Sequence, residues 1–359
     1  CVPRGDGEFP VLSFQNGTNT LNSACPTEFP SSPMYQFVEI IASMGFVVII
    51  PDYPGFGESA DIAHPYLIRE PTVRSGVDML YALHEMDERE LPDISVSDDV
   101  YLAGYSQGGW ATLALHEALE NDYSGSFNLR GSVCGAGPYD LTVLFSAMSS
   151  LSTYPMPVYI AYIINSYSVY RQFTNPVSDL LREPYASRLA GLYNGQKDSG
   201  EINASLTTSI PDLFAPGFLE GIWTDQKYSS LRDALASNSI AGWNTKVPLY
   251  FLHGGGDTSV DPVTTESIYD AMIEAGTSPL ICKKEILPGL DHGDAAARAG
   301  RDAHQAGDAL GLGGILGTGH QLNVPAVGLV DLRVDLLAGI VHGHVLLAEV
   351  LAGDLKTHD

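Results

Sequence analysis

The sequence predicts an α/β fold in which a mostly parallel β-sheet has helices on both faces and carries a helical insertion. Short apolar runs rich in β-branched residues alternate with helical patterns in the first half of the chain. This alternation stops near residue 139 and resumes near residue 246. Hydrophobic residues make up 45% of the 359 residues, so the chain can bury a large core.

Each predicted strand is a short apolar run, and each predicted helix has an amphipathic period with a polar or proline start. The run 46–50 is so apolar that both of its faces must be buried, which is typical of a parallel sheet. The predicted strands are 9–14, 46–50, 100–103, 131–134, 247–252 and 281–287, and the predicted helices are 32–44, 71–86, 107–119 and 262–275.

Four segments follow from the change in pattern along the chain. Residues 1–138 and 246–310 are predicted to form the two parts of one α/β core, and 139–245 a helical cap that holds nine of the 18 tyrosines. Residues 311–359 form an atypical tail. From residue 295 onward the chain has no aromatic residue and no serine, yet five of the ten histidines, so we predict that the tail is foreign to the fold.

The formal net charge of −25 excludes nucleic acid and anionic membrane surfaces as expected partners, because both require clustered lysine and arginine. The uncharged stretch 141–170 is long enough to span a bilayer. Its prolines and many polar residues predict a buried or pocket-lining segment instead, so no integral membrane association is expected. Four cysteines are too few for a disulfide scaffold.

A candidate nucleophile lies between a predicted strand and a predicted helix, where Gly104 to Gly108 read G-Y-S-Q-G. In this context the serine occupies a strained turn with its hydroxyl exposed above the sheet, and small residues flank it because neighbouring segments come close. Backbone amides at the positive end of the helix point toward it. We therefore predict that Ser106 is a nucleophile. The alternative is a tight glycine-rich turn without chemistry.

A serine nucleophile requires a general base that is held by a carboxylate. Asp257 follows the predicted strand 247–252 and His292 follows 281–287, so both lie at the carboxyl edge of the sheet. The chain order Ser106, Asp257, His292 is the order in which enzymes with this turn carry their triad. Asp261 and Asp140 remain alternatives for the acid, because geometry and not sequence position defines the site.

Other histidines are alternatives for the base. His253 opens a glycine turn and His64 lies in a loop near the predicted cleft, and a structural role is the simpler interpretation of both. The tail histidines, including His342 and His344, have no accompanying carboxylate or cysteine pattern, so no metal site is predicted.

These motifs resemble the α/β-hydrolase superfamily over about residues 8–294. Asp52 to Ser59 resembles its D-x-x-G-x-G-x-S turn, and Ser13 to Thr18 resembles the loop that donates one oxyanion-hole amide. With the G-Y-S-Q-G-G and G-x-D-H-G motifs, the chain is most similar to the secretory lipase group of lipase A-like enzymes. Members usually have two more strands before this loop, so we expect that N-terminal strands are missing and a sheet edge is exposed.

The resemblance implies a serine esterase or lipase that acts through an acyl-enzyme on a neutral, apolar ester or lipid. It implies Ser106 as nucleophile, His292 as base and Asp257 as the acid that orients the base. The backbone N–H groups of Gln107 and Thr18 would form the oxyanion hole. No metal or organic cofactor is implied, 139–245 falls where the superfamily carries its cap, and a secreted or extracytoplasmic location is favoured.

Two other functions remain open at this point. A peptidase or acylaminoacyl hydrolase would use the same triad, although no propeller-like repeat accompanies it here. A non-catalytic hydrolase-like domain would bind a ligand or partner, and an intact triad argues against that interpretation. The oligomeric state is open.

Overall fold

A computed structural model describes residues 1–4, 6–32, 42, 44–90 and 94–295. In this part of the chain the strands are β1 (Gly7–Gln15), β2 (Val47–Ile49), β3 (Ile94–Tyr105), β4 (Asn128–Gly135), β5 (Leu249–Gly254) and β6 (Cys282–Leu287). They form one sheet of order β2-β1-β3-β4-β5-β6, in which every neighbouring pair is parallel. The predicted α/β fold class is confirmed.

The α-helices between these strands are numbered in chain order. They are α1 (Arg69–Glu90), α2 (Gln107–Asn121), α3 (Leu141–Ser149), α4 (Pro157–Val169), α5 (Tyr185–Leu192), α6 (Ser199–Ala204), α7 (Ile210–Leu213), α8 (Phe218–Gly221), α9 (Ser229–Asn238) and α10 (Val263–Glu274). The predicted helices 71–86, 107–119 and 262–275 correspond to α1, α2 and α10.

The largest difference from the sequence prediction is the length of β3, which has 12 residues where the pattern predicts 100–103. Only the second half of β3 is continuously buried, whereas exposed and buried residues mix in its first half. An apolar run therefore marks only the part of a strand that is covered on both faces. The predicted burial of the run 46–50 is confirmed for Phe46 to Ile49, which are at most 7% exposed.

The two faces of the sheet belong to different parts of the core, because successive side chains of a strand alternate between faces. In β3, Val100 and Leu102 face one side, and Tyr101 and Ala103 face the other. Helices α1 and α2 cover the first side with Val77, Leu80, Leu83, Leu115 and Leu119. The cluster on the second side includes Ala42.

Between β4 and β5 the chain is helical, with α3 to α9 inside the predicted segment 139–245. Its tyrosines pack this segment onto the α/β body. Tyr162 stacks on Tyr66 with a centroid distance of 4.2 Å and on Tyr193 at 4.5 Å, and Tyr167 donates a hydrogen bond to the Leu67 carbonyl. That the segment acts as a cap stays a prediction.

Several expectations fall outside the described residues. They are the predicted helix 32–44, apart from Ser32, Ala42 and Met44, and the tail 311–359 with His342 and His344.

The N-terminal residue pairs with β2, the strand at one edge of the sheet. The Cys1 amine donates to the Val48 carbonyl at 2.9 Å, and the Val48 N–H donates to the Cys1 carbonyl at 2.8 Å. Among the helices that the structure describes, none is long and apolar enough to cross a membrane.

Candidate active site

The turn between β3 and α2 holds Ser106 in an unusual backbone conformation, with φ 59° and ψ −124°. A positive φ is costly for a residue with a side chain, so the surrounding structure must enforce it. The Ser106 N–H donates to the Gly135 carbonyl at 2.9 Å. A Cβ atom on Gly108 would lie less than 3.0 Å from the carbonyl oxygens of Gln15 and Asn16, so only glycine fits there. Strained serine and flanking glycine therefore occur together, as the motif predicts.

The loop after β1 lies against the first turn of α2, as the Gly108 contacts show. The N–H groups of a first helical turn have no partners within the helix and commonly bind anions, and among the described residues the Gln107 N–H has no backbone partner. In the loop, the Thr18 hydroxyl lies 2.8 Å from the Tyr66 hydroxyl. A Cβ atom on Gly17, the neighbour of Thr18, would lie 3.7 Å from the Tyr105 carbonyl oxygen, so this loop runs beside the residue before Ser106. That Gln107 and Thr18 form an oxyanion hole stays a prediction.

Asp257 and His292 meet at the carboxyl edge of the sheet. Asp257 follows β5 and is buried, and its Oδ2 accepts a hydrogen bond from His292 Nδ1 at 2.5 Å. Its Oδ1 accepts from the N–H groups of Ser259 and Val260 at 2.8 and 2.9 Å. Because Nδ1 faces the carboxylate, the Nε2 atom of His292 remains for a substrate or nucleophile.

A second histidine also contacts this carboxylate. His253 is fully buried, and its Nε2 lies 3.2 Å from Asp257 Oδ2 and 2.9 Å from the Val260 carbonyl. Both of these partners accept, so Nε2 carries a hydrogen. Burial raises the pKa of Asp257, but the hydrogen bonds from His253 and His292 outweigh that effect and hold this pKa well below its ordinary value. Asp257 is therefore a permanent anion at neutral pH.

Ser106 is tied to His292 through the residue that precedes it. The Tyr105 hydroxyl donates to the His292 carbonyl at 2.6 Å, and the two rings lie 5.1 Å apart. Burial, with Asp257 next, raises the pKa of Tyr105 well above its ordinary value, so the phenol keeps its proton and stays a donor. Within the described part of the chain, Ser106 Oγ makes no hydrogen bond, so serine and base lie at one edge without a direct bond.

The alternative acids occupy other positions. Asp140 caps α3 by accepting from the N–H groups of Thr142 and Val143. Asp261 accepts from the Val263 N–H at the start of α10. Both side chains satisfy helix-end donors, as aspartates at such positions commonly do.

The alternative bases differ from each other. His253 contacts the Asp257 carboxylate, a role that sequence reasoning missed even though the i, i+4 spacing across the glycine turn is a local signal. His64 is buried and its ring is hydrogen-bonded to the Gln107 side chain instead.

The hydrogen bond from Tyr105 to His292 had no signal in the sequence, because the two residues are 187 positions apart. Among the residues that the structure describes, no group of three His, Cys, Asp or Glu is placed to hold a metal ion.

Comparison with protein families finds a match to the model of the alpha/beta hydrolase family over residues 29–302. No curated protein matches the chain.

Several solved structures are similar to this one. A protein from Legionella pneumophila is 24% identical, with a TM-score of 0.72, over 89% of this chain and 83% of that one. The rice cell wall degrading esterase LipA from Xanthomonas oryzae is 22% identical, with a TM-score of 0.71, over 86% and 80%. Candida antarctica lipase A is 16% identical, with a TM-score of 0.64, over 93% and 80%. At these identities the likeness shows a shared fold.

Proposed function

The chain belongs to the alpha/beta hydrolase family, and on that premise we propose that it is a serine carboxylic ester hydrolase, an esterase or lipase. The observation that carries the proposal is the Asp257–His292 hydrogen bond at the sheet edge where Ser106 occupies its strained turn. The fold alone hosts many chemistries, so the site and not the family is the argument for this reaction.

In the first half of the reaction, His292 Nε2 takes the proton of Ser106 Oγ as the oxygen bonds to the ester carbonyl carbon. The carbonyl electron pair moves onto its oxygen, and the N–H groups of Gln107 and Thr18 bind the resulting anion. One such donor typically lowers the barrier by about 3 to 4 kcal/mol. The tetrahedral intermediate then expels the alcohol oxygen, which takes the proton from His292.

In the second half, His292 removes a proton from water as the water oxygen attacks the acyl-enzyme carbonyl. Collapse of the second tetrahedral intermediate releases the carboxylic acid and returns the proton to Ser106. Asp257 remains an anion throughout, holds the imidazole in one tautomer and stabilises its protonated form. The reaction uses no metal or organic cofactor.

The substrate is proposed to be a neutral ester with an apolar acyl group. A net charge of −25 disfavours anionic substrates. The helical segment 139–245, proposed as the cap, supplies apolar and tyrosine side chains that suit such a group. The esterase and lipase activities named for two of the similar structures agree with this class.

The test is hydrolysis of p-nitrophenyl acetate, butyrate, octanoate and palmitate by the wild type and by Ser106→Ala. The matched control is Ser126→Ala, because Ser126 bonds to the Tyr81 hydroxyl and precedes β4 at the opposite end of the sheet. We expect that Ser106→Ala abolishes hydrolysis and Ser126→Ala retains it, and that the profile over chain length separates esterase from lipase. Equal hydrolysis by wild type and Ser106→Ala would overturn the proposal.

A further inference from the structure

His64 is a buried histidine that the proposed reaction does not use. It is 5% exposed and lies between β2 and α1. Its Nδ1 lies 2.8 Å from the Pro54 carbonyl oxygen, and its Nε2 lies 2.8 Å from Gln107 Nε2. A carbonyl can only accept and an amide nitrogen can only donate, so Nδ1 carries the hydrogen and Nε2 is the acceptor. The ring is therefore neutral and fixed in one tautomer.

The backbone around His64 is shaped for this contact. Gly55 has φ +94°, and a Cβ atom there would lie less than 3.0 Å from the main chain of His64. The turn from Pro54 can fold back onto the histidine only because this residue is glycine. The carbonyl that binds Nδ1 is thus delivered by the D-x-x-G turn.

The partner of His64 is the residue proposed to bind the oxyanion. Gln107 is 1% exposed, and among the described residues His64 is the only partner of its side-chain amide, since the Oε1 atom has none. The hydrogen bond from Gln107 to His64 therefore decides how this side chain is anchored. Because the Gln107 N–H is part of the same residue, the anchor restricts the first turn of α2.

Aromatic rings around His64 connect it to the other side of the proposed oxyanion hole, the end of β1 and the loop that follows it. Those within about 6 Å of it belong to Tyr53, Phe56, Tyr66 and Tyr162. Tyr66 bonds through its hydroxyl to Thr18, and Tyr53 donates to Gln15 Oε1 at 3.3 Å. His64 thus contacts Gln107 directly, and contacts Gln15 and Thr18 indirectly through the two tyrosines.

We propose that His64 is a positioning residue of the oxyanion hole, which holds the Gln107 and Thr18 N–H groups at a fixed separation for the developing anion. This inference rests on the proposed function. Oxyanion donors act through preorganised geometry, so a shift of either N–H group weakens binding of the anion more than binding of the ester. Loss of His64 should therefore lower kcat and leave KM nearly unchanged.

The test compares His64→Phe, which keeps a ring of similar size without its hydrogen bonds, with His64→Gln, whose side-chain oxygen can still accept from Gln107. We expect kcat of His64→Phe to fall about 10- to 100-fold with KM within about twofold, and His64→Gln to recover most of the loss. His84→Phe is the matched control, since His84 lies on α1 and its ring packs against that of Phe127, just before β4. If His64→Phe fails to fold, Gln107→Met removes the same bond from its other end.

A second measurement separates positioning from a general structural role. Thionoesters place sulfur, a weak hydrogen-bond acceptor, in the oxyanion hole, so the wild type should prefer the oxygen ester strongly. We expect this preference to shrink in His64→Phe and in Gln107→Met. Loss of kcat with an unchanged preference, or unchanged kcat in both folded variants, would overturn the inference and leave the proposed function standing. Activity that survives Ser106→Ala would instead remove the proposed function and this inference with it.

Discussion

Acidification should destabilise the protein through His64 at higher pH than through Asp257 and Glu120, the carboxylates whose pKa values are lowered. Burial lowers the pKa of this histidine to about 4 from its ordinary value of 6.5, despite hydrogen bonds that act in the opposite direction. Between these two pH values the unfolded chain binds a proton that the folded protein does not. The free energy of unfolding therefore falls as the pH is lowered through this window, and levels off below pH 4 as far as His64 is concerned.

The size of the effect follows from the displacement of the pKa. A change from 6.5 to about 4 corresponds to a loss of about 3 kcal/mol over the whole window. Between about pH 7 and pH 4.5 the loss is about 2 kcal/mol. Asp257 and Glu120 also have lowered pKa values, that of Glu120 about 2, but their contributions are lost mainly at lower pH, as the carboxylates take up protons.

The assay is urea unfolding, followed by tryptophan fluorescence at several pH values between 4.5 and 7, for the wild type and His64→Phe. The expected result is that the free energy of unfolding falls by about 2 kcal/mol more in the wild type than in the variant. Parallel pH dependences in the two proteins would refute the assignment of His64 as a buried neutral base.

Three further predictions concern the candidate site. Asp257→Asn should lower kcat by about 10⁴-fold in steady-state kinetics, because His292 loses the anion that orients it. Asp140→Ala should keep kcat, but urea unfolding should show a loss of about 1 kcal/mol of stability because helix α3 loses its N-cap. Gly108→Ala should abolish activity and lower Tm, since the new methyl group would overlap main-chain oxygens, measured by hydrolysis and thermal unfolding. His253→Leu should move the acid limb of the kcat/KM profile to higher pH, because the carboxylate that faces His292 loses a donor, and His253→Gln should restore it.

Each of these has a contrary outcome. A loss of kcat in Asp140→Ala as large as in Asp257→Asn would make Asp140 the acid. A fully active Gly108→Ala would mean that the loop after β1 does not lie against α2. A pH profile that His253→Leu leaves unchanged would reduce His253 to a packing residue.

Much of the fold could be predicted because parallel strands buried on both faces are continuous apolar runs. Val47–Ile49 and the second half of β3 are such runs, and the sequence pattern locates them closely. The first half of β3 mixes exposed and buried residues, so its hydrophobic signal is too weak to define a strand. Periodicity therefore indicates burial first and hydrogen-bonded pairing only indirectly.

The candidate site was predictable where chemistry follows a strand end and unpredictable where it depends on packing across the chain. The positions of Ser106, Asp257 and His292 follow from short motifs. The contact between His64 and Gln107 joins residues that are 43 positions apart, and no local sequence pattern predicts it. Likewise, only its backbone conformation and the two N–H groups that donate to its side chain show that Asp140 caps the N-terminus of helix α3.

The most direct test of the proposed mechanism is covalent labelling with a fluorophosphonate, which reacts with a serine that a base has activated. The wild type should take up one label per chain on Ser106, located by peptide mass spectrometry, and should lose ester hydrolysis in proportion. His292→Ala should react much more slowly. A label on another residue, or hydrolysis that continues when Ser106 is fully labelled, would contradict the account.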